Sequence, residues 1–302
     1  MRTVTANTLH ETERFLRLNA RLIDRLRFEH HFRGRSADDA AAALAAYRNP
    51  DGGYGNALEP DLRGTGSQPQ HAEIALRLLD ELDRLDQAVA APLCGYLAAI
   101  TEPGGGVPLV LPSVRGTPAA PWWIDGPQTG GDLNPTAAIA GLLHRHGVRH
   151  PWLDGATDFC WTRIAELGPP SPGDAEAGLA FGYRAAAVLT FLEHAPDRAR
   201  ARAEFDRLAP ALRAVALPED GRESHHGPLA LAPRPDCLGA SLFTPEETAA
   251  ALDATVAAQQ PDGGWRPGFP FWTPITEPEW RGHLTVGNLV VLRAHGRVAE
   301  AG

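Results

Sequence analysis

Two short turns, nearly identical and far apart, constrain this chain more than any other feature. Asn49-Pro50-Asp51-Gly52-Gly53-Tyr54 and Gln260-Pro261-Asp262-Gly263-Gly264-Trp265 share Pro-Asp-Gly-Gly followed by an aromatic ring. Proline presets φ and glycine accepts positive φ, so each copy is a turn. Each follows one stretch of helical periodicity and leads through a loop into another. Glu102-Pro103-Gly104-Gly105-Gly106 repeats the layout more loosely. Recurrence in one context marks an internal repeat built from a helix, a turn and a second helix.

The remaining pattern is helical. Leu9 to Phe32 carries apolar residues at three- and four-residue spacing and reads as one segment. Ser36 caps a helix running to about Arg48, with Asp38 and Asp39 in its first turn, where negative charge suits the dipole. Further helices are expected over His71 to Leu85, 87–100, 134–146, 152–167, 174–194, 197–215, 245–260 and 282–296. Val107 to Val114 is the best strand candidate, but Pro108 and Pro112 argue against it. The expectation is an all-α chain of αα-hairpins forming one domain over residues 1–302.

Composition narrows the chemistry. All 28 basic residues are arginine, which removes lysine Schiff bases and a P-loop lysine. A net charge of −9 argues against a nucleic-acid partner. No apolar run is long enough to span a bilayer, and Met1 to Ala20 lacks a signal-peptide core, so a cytoplasmic protein is expected. Cys94, Cys160 and Cys237 are scattered and do not form a disulfide framework.

Gln259-Gln260-Pro261-Asp262-Gly263-Gly264-Trp265, and in more divergent form Tyr47 to Tyr54, resemble the repeat of squalene cyclases and protein prenyltransferase β subunits. The resemblance implies an α/α toroid with long Gly/Pro-rich loops at one end and a central pocket for a hydrophobic small molecule. It implies a terpenoid cyclase, an isomerase or lyase using acid-initiated carbocation chemistry. The cyclase acid motif Asp-x-Asp-Asp has only a partial counterpart in Ser36-Ala37-Asp38-Asp39, which also reads as a helix start.

The better candidate acid is Glu59-Pro60-Asp61, after the first Gly-Gly turn and ahead of His71 and Glu73. Two neighbouring carboxylates raise each other's pKa, so one can stay protonated and donate a proton, with His71 tuning it. The alternative is a solvated loop paired with Arg63. Tyr54, Trp122, Trp123, Trp265, Trp272 and Trp280 lie in or beside the long loops. They are candidates to wall a pocket and stabilise positive charge, or to seal the ends of a helical bundle. His283 completes the candidate substrate-binding set.

No cofactor is expected under this reading. The alternative is zinc: Asp236, Cys237 and His283 follow the prenyltransferase ligand pattern, except that Asp and Cys are adjacent. His225-His226 beside Glu223 is a further polar cluster. Other readings are a carbohydrate-active α/α-barrel lyase or epimerase, with aromatics stacked on sugar rings, and a non-catalytic lipid binder.

Overall fold

A computed structural model describes residues 1–126, 128–171, 173–218, 224 and 226–299. The protein is all-α. Among the described residues no strand forms, and extended pairing is limited to isolated bridges such as Leu62 with Ala119. No described helix is long and apolar enough to cross a membrane. The chain divides into two compact units. One joins Met1–Leu44 to Gly227–Gly302, and the other is Ala45–His226.

The second unit contains α4 (Pro69–Glu81), α5 (Gln87–Ala99), the short α6 (Pro121–Asp125), α7 (Leu133–Arg145), α8 (Pro151–Glu166), α9 (Ala175–His194) and α10 (Arg198–Ala216). They alternate between two rows. Helix α7 packs against both α4 and α9, while α8 touches α5 and α7 from behind. Helix α10 packs on α9 and ties to α8, where Arg200 lies over the Trp161 ring at 4.7 Å. Nearly every residue of α7 from Leu133 to Leu143 is buried, as expected of a helix covered all round. Gly141 allows the close approach of α9, since a Cβ there would fall 2.4 Å from the Thr190 carbonyl.

The first unit contains α1 (Ala6–Asn19), α2 (Leu22–Arg33), α3 (Ala37–Ala45, whose last residue begins the other unit), α11 (Pro228–Leu231), α12 (Pro245–Ala257) and α13 (Thr276–Ala294). Its core gathers Phe15, Leu16, Phe28, Leu252, Trp265, Val286 and Leu289 around the contacts of α13 with α1 and α2. Both ends of the described chain belong to it. Val4 pairs with Val298, and Arg297 holds Asp253 at 2.6 Å and the Arg2 carbonyl at 2.8 Å.

The expected single segment Leu9 to Phe32 is two helices. The chain turns extended at Ala20 and Arg21, without glycine or proline. The reason is tertiary: Gly282 of α13 fits against Ala20, where a Cβ would come within 2.7 Å of the alanine methyl. Ser36 caps α3 as expected, its Oγ accepting from the Asp38 N–H at 3.1 Å, and Asp38 and Asp39 are exposed. Residues 107–114 form no strand; a 3-10 turn begins at Pro112.

The three Gly-Gly turns have one geometry. The first residue's N–H donates to the carbonyl of the last: Asn49 to Gly53 at 2.9 Å, Glu102 to Gly106 at 2.9 Å, Gln260 to Gly264 at 2.8 Å. The penultimate glycine donates back to the first carbonyl and holds φ of +88°, +95° and +92° at Gly52, Gly105 and Gly263. Each of these glycines faces the backbone of a helix: Pro92 in α5, Gly155 in α8, Glu11 in α1. Each final glycine meets a ring one helical turn further along that helix, namely Tyr96, Phe159 and Phe15. Thus α1 stands to the third turn as α5 and α8 stand to the first and second. The chain's first helix completes its last repeat.

Candidate functional site

Glu59-Pro60-Asp61 follows the first Gly-Gly turn and leads towards α4. The segment is pinned by backbone pairing with residues 118–120: the Ala120 N–H donates to the Asp61 carbonyl at 2.9 Å, and the Arg63 N–H to the Pro118 carbonyl at 2.9 Å. Leu62, Val110, Val114 and Ala119 form a small apolar cluster with Trp123 and Ile124 packed against it. This pairing draws both carboxylates inward, to 4% exposure for Glu59 and 2% for Asp61. A solvated loop is therefore not what forms. The Arg63 guanidinium donates to the Pro60 carbonyl at 3.1 Å.

Burial pushes the Glu59 carboxyl up to about 8, and the charge of Asp61 pushes the same way. The backbone N–H groups of Asp61 and Leu62 and the Trp123 indole act against this without cancelling it. At neutral pH Glu59 is a neutral acid beside a second carboxyl group. Its Oε2 is buried without a hydrogen-bond partner among the described residues. His71, fully buried in the first turns of α4, donates from Nε2 to the Leu62 carbonyl at 3.1 Å, which ties it to the back of the acid loop. A carbonyl only accepts, so the Nε2 proton is fixed.

One group near this acid has no signal in the sequence. Tyr183, in the third turn of α9, has its phenol pushed up by burial and then by the charge of Glu59. Its ring is 43% exposed and meets the buried His226 ring edge-to-face at 4.5 Å. Gly182 makes room, since a Cβ there would fall 2.2 Å from the imidazole. Tyr183 lies in an apolar helical run, where an aromatic residue reads as packing. Its approach to Glu59 is a long-range product of the fold. Of the expected polar cluster, Glu223 and His225 lie outside the described residues.

The aromatic candidates divide. Trp123 lies against the Glu59 loop, while Trp122 beside it is 45% exposed. Tyr54 is buried in the first turn, its carbonyl accepting from the Gln68 N–H at 3.0 Å. Trp265 is 2% exposed within the core of the first unit, its Nε1 donating to the Thr255 carbonyl at 2.7 Å. It is a packing residue there. Trp272 and Trp280 are partly buried in the loop and helix that follow, with Phe269 and Trp280 edge-to-face at 5.3 Å.

The residues of the zinc alternative are held apart in their roles. The Asp236 side chain is 82% exposed, with an Arg234 ion pair at 3.4 Å. Cys237 is buried and its Sγ donates to the Arg234 carbonyl at 3.0 Å. His283 faces Arg27 and Asp24 of α2, at 3.3 and 3.8 Å. Among the described residues, no three of His, Cys, Asp or Glu are grouped to hold a metal ion.

Asp24 is fully buried, its two oxygens on Arg21 at 2.9 Å and Arg27 at 3.0 Å. Burial alone would raise its pKa. The Arg21 charge, the neighbouring imidazole and the Arg27 charge outweigh burial and hold it well below the usual carboxylate range. Buried Glu59 in one unit and buried Asp24 in the other are thus shifted in opposite directions.

No family model matches the chain, and no curated protein matches it. A crystal structure of a protein from Actinoplanes is similar, with a TM-score of 0.59 at 18% identity, covering 96% of this chain and 99% of that one. At that identity the likeness shows a shared fold, extending over almost the whole of both chains.

Proposed function

We propose that the chain is an enzyme of the α/α-toroid type that starts carbocation chemistry on an apolar, isoprenoid-like substrate, with Glu59 as the proton donor. The repeat carries the architectural half of this reading: the helices of the second unit alternate between two rows, and three turns share one geometry. The observation that carries the chemistry is the buried Glu59–Asp61 pair, in which one carboxyl is kept neutral at physiological pH. Glu59 gives its proton to a substrate alkene: the O–H bond breaks, a C–H bond forms and a cation is left on the substrate. The Trp123 and Tyr183 rings and the Asp61 carboxylate are suited to stabilise that cation. Loss of a proton to the Glu59 carboxylate closes the cycle and restores the acid. Nothing in this sequence of steps calls on a cofactor.

The test is turnover of linear prenyl substrates by Glu59→Gln and Asp61→Asn. Loss of a general acid typically costs about 10²–10⁴-fold. Activity should also fall as pH rises through about 8, where Glu59 loses its proton. Undiminished turnover in both variants would sink the acid role. A second reading, a carbohydrate lyase or epimerase, is favoured specifically by the Tyr183–His226 pair beside Glu59, a phenol and an imidazole suited to moving protons. Turnover of uronate sugars rather than prenyl chains would select it.

A further inference from the structure

The buried ion cluster on α2 does something that packing does not require. Replacing such a cluster with apolar residues is commonly neutral or stabilising, so its presence calls for a reason beyond stability. Here the cluster ends on a histidine. Gly282 lets α13 approach the break between α1 and α2, and a Cβ there would lie 3.5 Å from Asp24 Oδ2 as well as against Ala20. The next residue, His283, therefore reaches the cluster with Nδ1, 3.3 Å from Arg27 Nη1 and 3.8 Å from Asp24 Oδ1. A guanidinium only donates, so Nδ1 accepts and the imidazole proton sits on Nε2. The side chain is 27% exposed, and the Trp280 ring stands 6.0 Å away, itself edge-to-face with Phe269 at 5.3 Å. Burial and the positive charges of Arg27 and Arg21 lower the His283 pKa, against the opposing pull of Asp24.

The geometry points to a ligand site in this unit in which His283 presents a fixed Nε2–H to a neutral oxygen acceptor, with Trp280 and Phe269 against the ligand's apolar body. Asp24 and Arg27 are its positioning residues. An isoprenoid alcohol and a sugar both carry a neutral oxygen on an apolar face. The site does not depend on the Glu59 chemistry and is read without turnover.

The experiment is a long-range proton–nitrogen NMR spectrum of histidine-labelled full-length protein, titrated separately with farnesol and with methyl β-glucoside. The expected result is an unprotonated Nδ1 at His283 and a shift of its Nε2–H by at least one probe. Farnesol alone marks an isoprenoid site, and the glucoside alone a carbohydrate site. Trp280→Leu should weaken binding at least tenfold while leaving the free-state tautomer intact. Arg27→Met should move the proton towards Nδ1 in the free protein. A free-state proton on Nδ1 would overturn the inference, as would the absence of a shift with both probes or unchanged binding in Trp280→Leu. If Glu59→Gln loses turnover but keeps these shifts, the two sites are separate.

Discussion

Two buried carboxylates make opposite demands on pH. Glu59 has a folded-state pKa of about 8 against an ordinary 4.5. Between those values the unfolded chain has released a proton that the native chain keeps, so stability falls as pH rises. The contribution is fully present below about 4.5 and gone above about 8. Each tenfold change in proton affinity is worth about 1.4 kcal/mol. Glu59→Gln should therefore flatten that slope and be more stable than the parent at pH 8 by a few kcal/mol. Equal pH slopes of stability between about 4.5 and 8 in denaturant titrations of the two proteins would refute this. Asp24 is depressed, so its contribution is present above the ordinary aspartate range and is lost as pH falls below it. Asp24→Asn leaves two guanidinium groups without that charge and should cost roughly 3–5 kcal/mol at pH 7. The penalty should shrink in acid, and a penalty independent of pH would contradict the assignment.

These residues are unequally legible in the sequence. Glu59 and Asp61 stand out as paired acids beside a recognisable turn. Asp24, Arg21 and Arg27 do not, because an acid and an arginine three residues apart on a helix read as a solvated surface pair. Only the approach of α13 at Gly282 buries them. Trp265 is legible as important but not as core, since an aromatic after Gly-Gly is equally suited to a pocket wall.

At the scale of elements, the three turns permit an ordered comparison. A Cβ at Gly263 would fall 2.6 Å from the Glu11 backbone and at Gly52 2.3 Å from the Pro92 carbonyl, whereas at Gly105 its nearest neighbour is 3.4 Å away. All three hold positive φ. Alanine should therefore cost about 1–2 kcal/mol at Gly105 from φ alone, and roughly 2–4 kcal/mol at Gly52 and Gly263, where overpacking adds. Chemical denaturation of the three variants gives the ranking, and Gly105→Ala as the worst would break the proposed equivalence. Thr244, whose side chain and Glu247 form a reciprocal capping box on α12, should cost about 1 kcal/mol when changed to alanine. Most helices are readable from periodicity alone, from Gln87–Ala99 and Pro151–Glu166 to Arg198–Ala216. The gap between α1 and α2 is not, because no local residue marks it and the cause lies on α13.

At the scale of the whole molecule, the unit holding both ends of the described chain is the informative one. Phe15 and Leu16 of α1 share a core with Trp265, Val286 and Leu289, far along the sequence. Removing residues 1–20 should therefore abolish hydrogen-exchange protection over residues 252–292. Protection over 133–192, which belongs to the other unit, should persist. Uniform loss, or none, would mean that α1 is not part of the last repeat. The turns are visible in the sequence but this closure is not, because nothing local in a polar N-terminal helix tells which distant glycine it will cover.

The Val4–Val298 pairing also separates two orders that usually coincide. The order of helices along the chain and the order of repeats in space begin at different places in this protein. A circularly permuted gene, with a short linker joining the paired segments and a new start at the exposed Gly34, would encode the same set of contacts in a different reading order.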